Sequence, residues 1–293
     1  MTTSNVGALS CPTATLAFDG PPGAGKTSLL AALVPVLGDR CVFFSEPNIK
    51  LANGPQAPIH PGTAAHTLWY LRSERLRMAA LPSCAAAYNA ELVLLDRNHL
   101  GVLAYCFATR HPDAIPYSKA LGYYSQHIAP ALPDDMRTVI LQIEVEDSLR
   151  RRGRHPTHPR WQQWYDPDLL ERMSVFYREH APELCPRPPL IIDTGPLDRD
   201  AVMTIVATEL AAAGITLPAH VATADPQPPI DGAFAIPYNA TGGAAVLGNP
   251  VTSAFPYRDG QMQMFQLGSL YRVGDHTHPW NPLKSNLFTE AIS

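Results

Sequence analysis

Apolar residues along the chain fall into short runs, divided by polar, glycine-rich and proline-rich punctuation. Five runs have the length of strands: 14–18, 40–44, 91–95, 138–143 and 190–194. The run Glu91-Leu92-Val93-Leu94-Leu95 is apolar after its first residue, the pattern of a strand buried on both faces. Longer stretches between the runs read as helices, at 28–34, 63–82, about 100–110, 118–130, 167–180 and 197–213. In the 63–82 stretch Leu68, Trp69, Leu71, Leu76 and Met78 recur near helical spacing, with Arg72, Arg75 and Arg77 set among them. Strands alternating with helices predict an α/β fold, a parallel sheet wrapped on both faces. Such sheets gather their chemistry beyond the carboxyl ends of the strands. Here those ends carry the stretch 20–27, Glu46, Asp96-Arg97 and Asp193.

The pattern changes near residue 217. Pro218, Pro226, Pro228 and Pro229 mark a linker over 217–232. The expected organisation is one domain over 1–216, the linker, and a small β-rich extension over 233–293.

Composition narrows the class. The net charge of −4 gives no reason to expect nucleic-acid binding, and the hydrophobic content of 46% suits a globular core. Basic charge is 18 Arg against 4 Lys, a bias that the 30 prolines attribute to genome composition. The five cysteines are widely spaced and odd in number, which suits small buried hydrophobes in a reducing compartment better than a disulfide framework. Residues 1–11 lack a basic start and a long apolar run, and no stretch reaches the ~18 apolar residues of a membrane span. The expectation is a cytoplasmic protein with no membrane partner.

The most specific feature is Gly20-Pro21-Pro22-Gly23-Ala24-Gly25-Lys26-Thr27, which fits G-x-x-x-x-G-K-[ST] between a strand and a helix. Glycines there let backbone N–H groups turn onto phosphate oxygens, and the helix start adds partial positive charge. Gly20, Gly23, Ala24, Gly25, Lys26, Thr27 and Ser28 form the expected cofactor-binding set. Lys26 would reach the β- and γ-phosphates and Thr27 would hold Mg²⁺.

Phosphoryl transfer is mainly positioning and charge neutralisation. Asp96 and Glu46 end strands and can hold Mg²⁺ through water, or accept the acceptor's proton. Arg75 and Arg97 can clamp an anionic acceptor in the bidentate way guanidinium allows. Arg150, Arg151, Arg152, Arg154 and Arg160 follow the fourth strand, where a lid belongs. His155 and His158 have no Cys or acidic neighbour and read as exposed loop residues rather than metal ligands.

Taken in order, these pieces resemble the thymidylate kinase family of nucleoside and nucleotide kinases. The matching stretches are Phe18-Asp19-Gly20 running into Gly23-Ala24-Gly25-Lys26-Thr27, then Glu46-Pro47, Arg75, and Asp96-Arg97 followed by Leu103-Ala104-Tyr105. They continue with Leu149-Arg150-Arg151-Arg152-Gly153-Arg154 and Ile192-Asp193-Thr194. The resemblance implies a five-stranded parallel core, ATP with Mg²⁺, a small-molecule phosphoryl acceptor and a homodimer. It implies a catalytic set of Lys26, Glu46, Asp96, Arg97, Arg152 and Arg154, acceptor contacts from Arg75, Arg97 and Glu46, and metal contacts from Thr27 and Asp96. Pro21 and Pro22 stand where the family carries a charged loop residue, so the cation for the transferring group would come from the lid arginines. Ser45 stands where arginine is typical, and Asn98 where tyrosine or histidine is usual.

Three readings follow: a kinase of a nucleoside monophosphate, a kinase of an uncharged nucleoside or small natural product, and a degenerate ATP-binding interaction protein. In the tail, Ile236-Pro237-Tyr238, Gly242-Gly243, Leu247-Gly248-Asn249-Pro250 and the stretch Met264 to Tyr271 resemble one unit of the LGFP repeat. One copy of a repeat buries its face poorly, so this unit is expected to pack on the main body or on a second chain.

Overall fold

The computed structural model describes residues 13–53, 62–154, 159–217 and 228–284. Five parallel strands form the first sheet: β1 (Ala14–Asp19), β2 (Cys41–Phe44), β3 (Leu92–Asp96), β4 (Arg137–Gln142) and β5 (Leu190–Asp193). Their order is β2-β3-β1-β4-β5. The central strands explain their own composition. Leu92 to Leu95 of β3 are all buried, because helices cover both faces of the sheet. β5 lies at an edge and leaves Ile191 exposed.

The connecting helices are α1 (Lys26–Leu37), α2 (Ile49–Asn53), α3 (Ala64–Ala87), α4 (His99–Ala108), α5 (Tyr117–Tyr123), α6 (Val145–Arg151), α7 (Pro167–Glu179) and α8 (Arg199–Ala212). The short helices α2 and α6 are not expected from the sequence, and two of the expected helices differ in extent or type. α3 runs past Pro82 to Ala87, since burial of Cys84 and Ala85 beyond the proline outweighs the one missing backbone bond. The helix expected over 118–130 stops as α-helix at Tyr123 and continues as a wider π turn over Tyr124–Ile128. Asn98 caps α4 by accepting the Leu100 N–H at 2.9 Å, which gives this residue a structural task of its own.

The extension contains a helix that its sequence conceals. α9 (Gly232–Ala240) carries Pro237 inside it and is capped by Asp231, which accepts the Ala233 N–H at 2.9 Å. Four antiparallel strands follow in order: β6 (Phe255–Tyr257), β7 (Gly260–Phe265), β8 (Gly268–Val273) and β9 (His276–Pro279).

This second sheet seals the open edge of the first. β2 has a neighbour on one side only, so its outward backbone groups need other partners. The buried Tyr257 hydroxyl accepts the Phe43 N–H at 3.0 Å and donates to Cys41 O at 3.0 Å. Trp280 Nε1 donates to Phe43 O at 2.7 Å, and Arg258 Nη2 donates to Cys41 O at 2.7 Å. Tyr257, Tyr271 and Trp280 stack edge to face, with Trp280 reaching Tyr88 of the main body. Residues 218–227 of the expected linker, together with Cys11, lie outside the described residues.

Candidate active site

The glycine-rich loop has the backbone its sequence requires. Gly20, Gly23 and Gly25 have φ of +135°, +80° and +100°. A Cβ on Gly20 would lie 2.0 Å from Leu141 O, so only glycine fits between β1 and β4. A Cβ on Gly23 would lie 2.8 Å from Ser148 Oγ, which donates to Pro22 O at 2.7 Å. The first backbone bond of α1 is Leu29 N–H to Gly25 O, and no side chain caps the helix. The N–H groups of Lys26, Thr27 and Ser28 therefore face the loop without intrahelical partners, which fits them to an anion.

Lys26 is buried, and its ammonium donates to Gly20 O at 2.7 Å and Pro21 O at 2.8 Å. Burial pushes its pKa down, with Arg97 adding to the effect and Asp19 opposing it. A phosphate oxygen is the stronger partner for this charge, so the lysine fits a polyphosphate.

A cleft of about 610 Å³ opens beside the loop. Residues Pro22 to Leu29 form one wall, and Glu46, Asp96 and Arg97 face them from the ends of β2 and β3. Arg97 Nε meets Glu46 Oε1 at 3.0 Å, and its Nη1 donates to Gly20 O at 3.0 Å. Its φ of +60° is a strained value for arginine, of the kind that active-site geometry holds in place. Burial raises the Asp96 pKa, and the neighbouring Glu46 carboxylate adds to it. A cation beside Asp96 would reverse both penalties, so the residue suits a metal. Thr27 lines the same cleft and supplies a hydroxyl of the right chemistry for Mg²⁺.

Asp19, which the sequence placed only within a matching stretch and gave no role, has a task of its own. It is fully buried, and its Oδ1 accepts the Gly20 N–H and the Tyr177 hydroxyl, both at 2.7 Å. Its Oδ2 accepts the N–H groups of Asn98 and Gly101 at 3.0 Å, and Arg97 Nη1 lies 3.4 Å from Oδ1. One carboxylate thus fixes the loop, the turn after β3 and the start of α4. An acid directly between an apolar strand and a phosphate loop was the available signal.

The comparisons with known proteins bear on this geometry. No family model matches the chain. Over 173 residues it is 30% identical to a thymidylate kinase of Levilactobacillus brevis, covering 55% of this chain and 73% of that protein. The chain belongs to the thymidylate kinase family. It is a phosphotransferase of the nucleotide and nucleoside kinase type. Among solved structures, a deoxyadenosine kinase from M. mycoides with bound dATP matches 68% of this chain and 99% of its own, at 16% identity and a TM-score of 0.49. A thymidylate kinase from Candida albicans matches 70% and 97%, at 13% identity and a TM-score of 0.49.

The cleft does not collect every arginine that the sequence nominated. Arg75 is exposed on α3 and is not among the residues lining the cleft. Its neighbour Arg77 is buried instead. Arg77 Nη1 donates to Ser45 O at 3.0 Å and to Asp96 O at 3.4 Å, and Nη2 donates to Arg97 O. It pairs with buried Glu74 at 3.2 Å, whose pKa burial pushes up to about 7. Arg77 therefore bolts together the two strand ends that carry Glu46 and Asp96. Helical phase decides between the two arginines: Leu71, Glu74, Arg77 and Met78 share the inward side of α3.

The lid divides in the same way. Arg151 and Arg152 line the cleft. Arg151 donates to Thr194 O, while Arg152 donates to Trp164 O at 2.7 Å and lies 4.4 Å from the Tyr165 ring centroid. Arg154 is exposed, pairs with Glu146 and is not among the cleft residues. His155 and His158 lie outside the described residues, as does the side chain of Arg160. Among the described residues no cluster of three or more His, Cys, Asp or Glu side chains is arranged to hold a metal. No described helix is long and apolar enough to cross a membrane.

Proposed function

We propose that this kinase transfers the γ-phosphoryl group of ATP to the phosphate of a nucleoside monophosphate, with Mg²⁺. The observation that carries the reading is the uncapped, glycine-cradled start of α1, with Lys26 on one wall of a cleft whose other wall holds Glu46, Asp96 and Arg97. In this reading Lys26 and the N–H groups of the loop bind the triphosphate. Thr27 and Asp96 would hold Mg²⁺, which when bound would supply charge neutralisation at the phosphates. Arg97 meets the acceptor phosphate, with Glu46 fixing the guanidinium. Arg151 and Arg152 supply the cation that Pro21 and Pro22 leave out of the loop. The 30% identity with a protein named thymidylate kinase supports a monophosphate acceptor. A homodimer rests on the family resemblance and is read by sedimentation.

The exposed position of Arg75 favours a second reading, an uncharged nucleoside acceptor, because one expected phosphate clamp is missing from the cleft. Glu46 would then accept the proton of the attacking hydroxyl. A coupled ADP-release assay with ATP, Mg²⁺ and a panel of nucleosides and nucleoside monophosphates separates the two. Lys26→Ala is expected to lower turnover by roughly a thousandfold or more with the fold intact, a loss on the scale of the transition-state electrostatics removed. Turnover retained by that variant refutes both readings. ATP binding with no transfer to any acceptor would point to the degenerate kinase.

A further inference from the structure

The extension reaches into the cleft. Gln266, on the turn between β7 and β8, lines it together with Thr27, Ser28 and Glu46. This exposed glutamine is not free to wander. Its Oε1 accepts the Asn249 N–H at 3.1 Å, and its own backbone N–H donates to Asn249 O at 3.0 Å. Gly248 makes the close approach possible: its φ is +75°, and a Cβ there would lie 2.7 Å from Gln266 Cβ and 2.8 Å from Oε1. With Oε1 engaged, the amide presents its two Nε2 hydrogens, for which no partner is present among the described residues.

The turn itself is anchored to the catalytic body. Asn48, two residues after Glu46, donates through Nδ2 to Leu267 O and to Val246 O, both at 2.9 Å. Ser45 Oγ lies 3.3 Å from Ser269 Oγ. A hydrogen-bond donor held in this way costs a ligand little ordering entropy to use.

We infer that Gln266 is a ligand-binding residue, its Nε2 donating to a phosphate oxygen of the nucleotide in the cleft, so that the C-terminal extension completes the kinase site. The inference rests on the proposed kinase function. Phosphate is the matching chemistry because the cleft that Gln266 lines is also lined by the glycine-rich loop from Pro22 to Ser28. The oxygen belongs either to the triphosphate or to the acceptor's phosphate.

The test is calorimetric titration of the full chain and of Gln266→Ala and Gln266→Glu. The ligands are the Mg²⁺ complex of a non-hydrolysable ATP analogue, a set of nucleoside monophosphates, and the matching nucleosides. Gln266→Ala is expected to weaken the contacted ligand roughly ten- to a hundredfold, the worth of one hydrogen bond to a charged group. Gln266→Glu keeps an acceptor for the Asn249 N–H but turns a carboxylate on the phosphate, so it is expected to weaken binding further. Loss confined to the ATP analogue assigns the contact to the donor phosphates, and loss confined to the monophosphates assigns it to the acceptor. A purely structural role reverses the order, with Gln266→Glu near wild type and Gln266→Ala worse; that result overturns the inference. Changes below twofold in every titration also overturn it while leaving the kinase reading standing. A wild-type chain that binds no nucleotide at all overturns both.

Discussion

Removing one hydroxyl from Tyr257 tests whether the second sheet is structurally part of the kinase. In Tyr257→Phe the ring stays, and its edge-to-face contacts with Tyr271 and Trp280 stay with it. Two hydrogen bonds disappear. Cys41 O keeps the Arg258 Nη2 donor at 2.7 Å, so that end costs little. The Phe43 N–H is left buried on the outer side of β2 with its partner gone. An unsatisfied buried donor costs about 1–3 kcal/mol, so the variant should lose about 2 kcal/mol. The assay is urea unfolding followed by circular dichroism and by tryptophan fluorescence. Trp280, whose ring centroid is 5.3 Å from that of Tyr257, reports on the seam directly. Because the hydroxyl spans the two sheets, both probes should show one transition, with a lowered midpoint and an unchanged slope. Tyr238→Phe is the control. Its hydroxyl bonds Gly248 O inside the extension, so it strips a donor from a carbonyl and orphans no N–H group. A loss below about 0.5 kcal/mol in Tyr257→Phe refutes the sealing argument. So do two separate transitions with the effect confined to one.

Gly20→Ala should fail to give soluble protein, or lose several kcal/mol, because its Cβ would meet Leu141 O at 2.0 Å in a backbone region that disfavours alanine; a normal melting temperature would contradict the loop geometry. Arg77→Ala should destabilise by about 3 kcal/mol or more, since it leaves Glu74 buried and the carbonyls of Ser45, Asp96 and Arg97 with fewer donors. Arg75→Ala should stay within about 0.5 kcal/mol of wild type by the same unfolding assay. Glu74 titrates higher when folded, at about 7 against an ordinary 4.5, so its contribution to stability is complete below 4.5 and is lost as pH rises through 7. Glu74→Gln, which removes the titration, should therefore gain on wild type between pH 5 and pH 8, by about 3 kcal/mol at most. A difference between the two proteins that does not change with pH would contradict the burial of that carboxyl.

The alternation of apolar runs was enough to specify the parallel sheet, because β3 and β4 are buried on both faces and no charge interrupts them. The phosphate loop was equally legible, since positive backbone angles and a 2.0 Å approach leave glycine no substitute at Gly20. Glu46, Asp96 and Arg97 could be nominated from their places after strands, and the parallel topology brings them to one cleft. Which arginine of α3 turns inward was not written locally. Arg75 and Arg77 sit in similar surroundings along the chain, and the phase of the helix against the ends of β2 and β3 buries the second. The task of Asp19 was hidden for a related reason, since its five partners come from Gly20, Arg97, Asn98, Gly101 and Tyr177. The seam between the two sheets is the longest-range decision of all. Tyr257 and Trp280 look like ordinary aromatic anchors in sequence, and only a strand with an open edge more than two hundred residues away gives their polar atoms something to bond. Local pattern determines which segments are strands and helices, because burial alternates with a short period. Long-range pairing determines which polar atoms are satisfied, and in this protein that choice assembles the walls of the cleft.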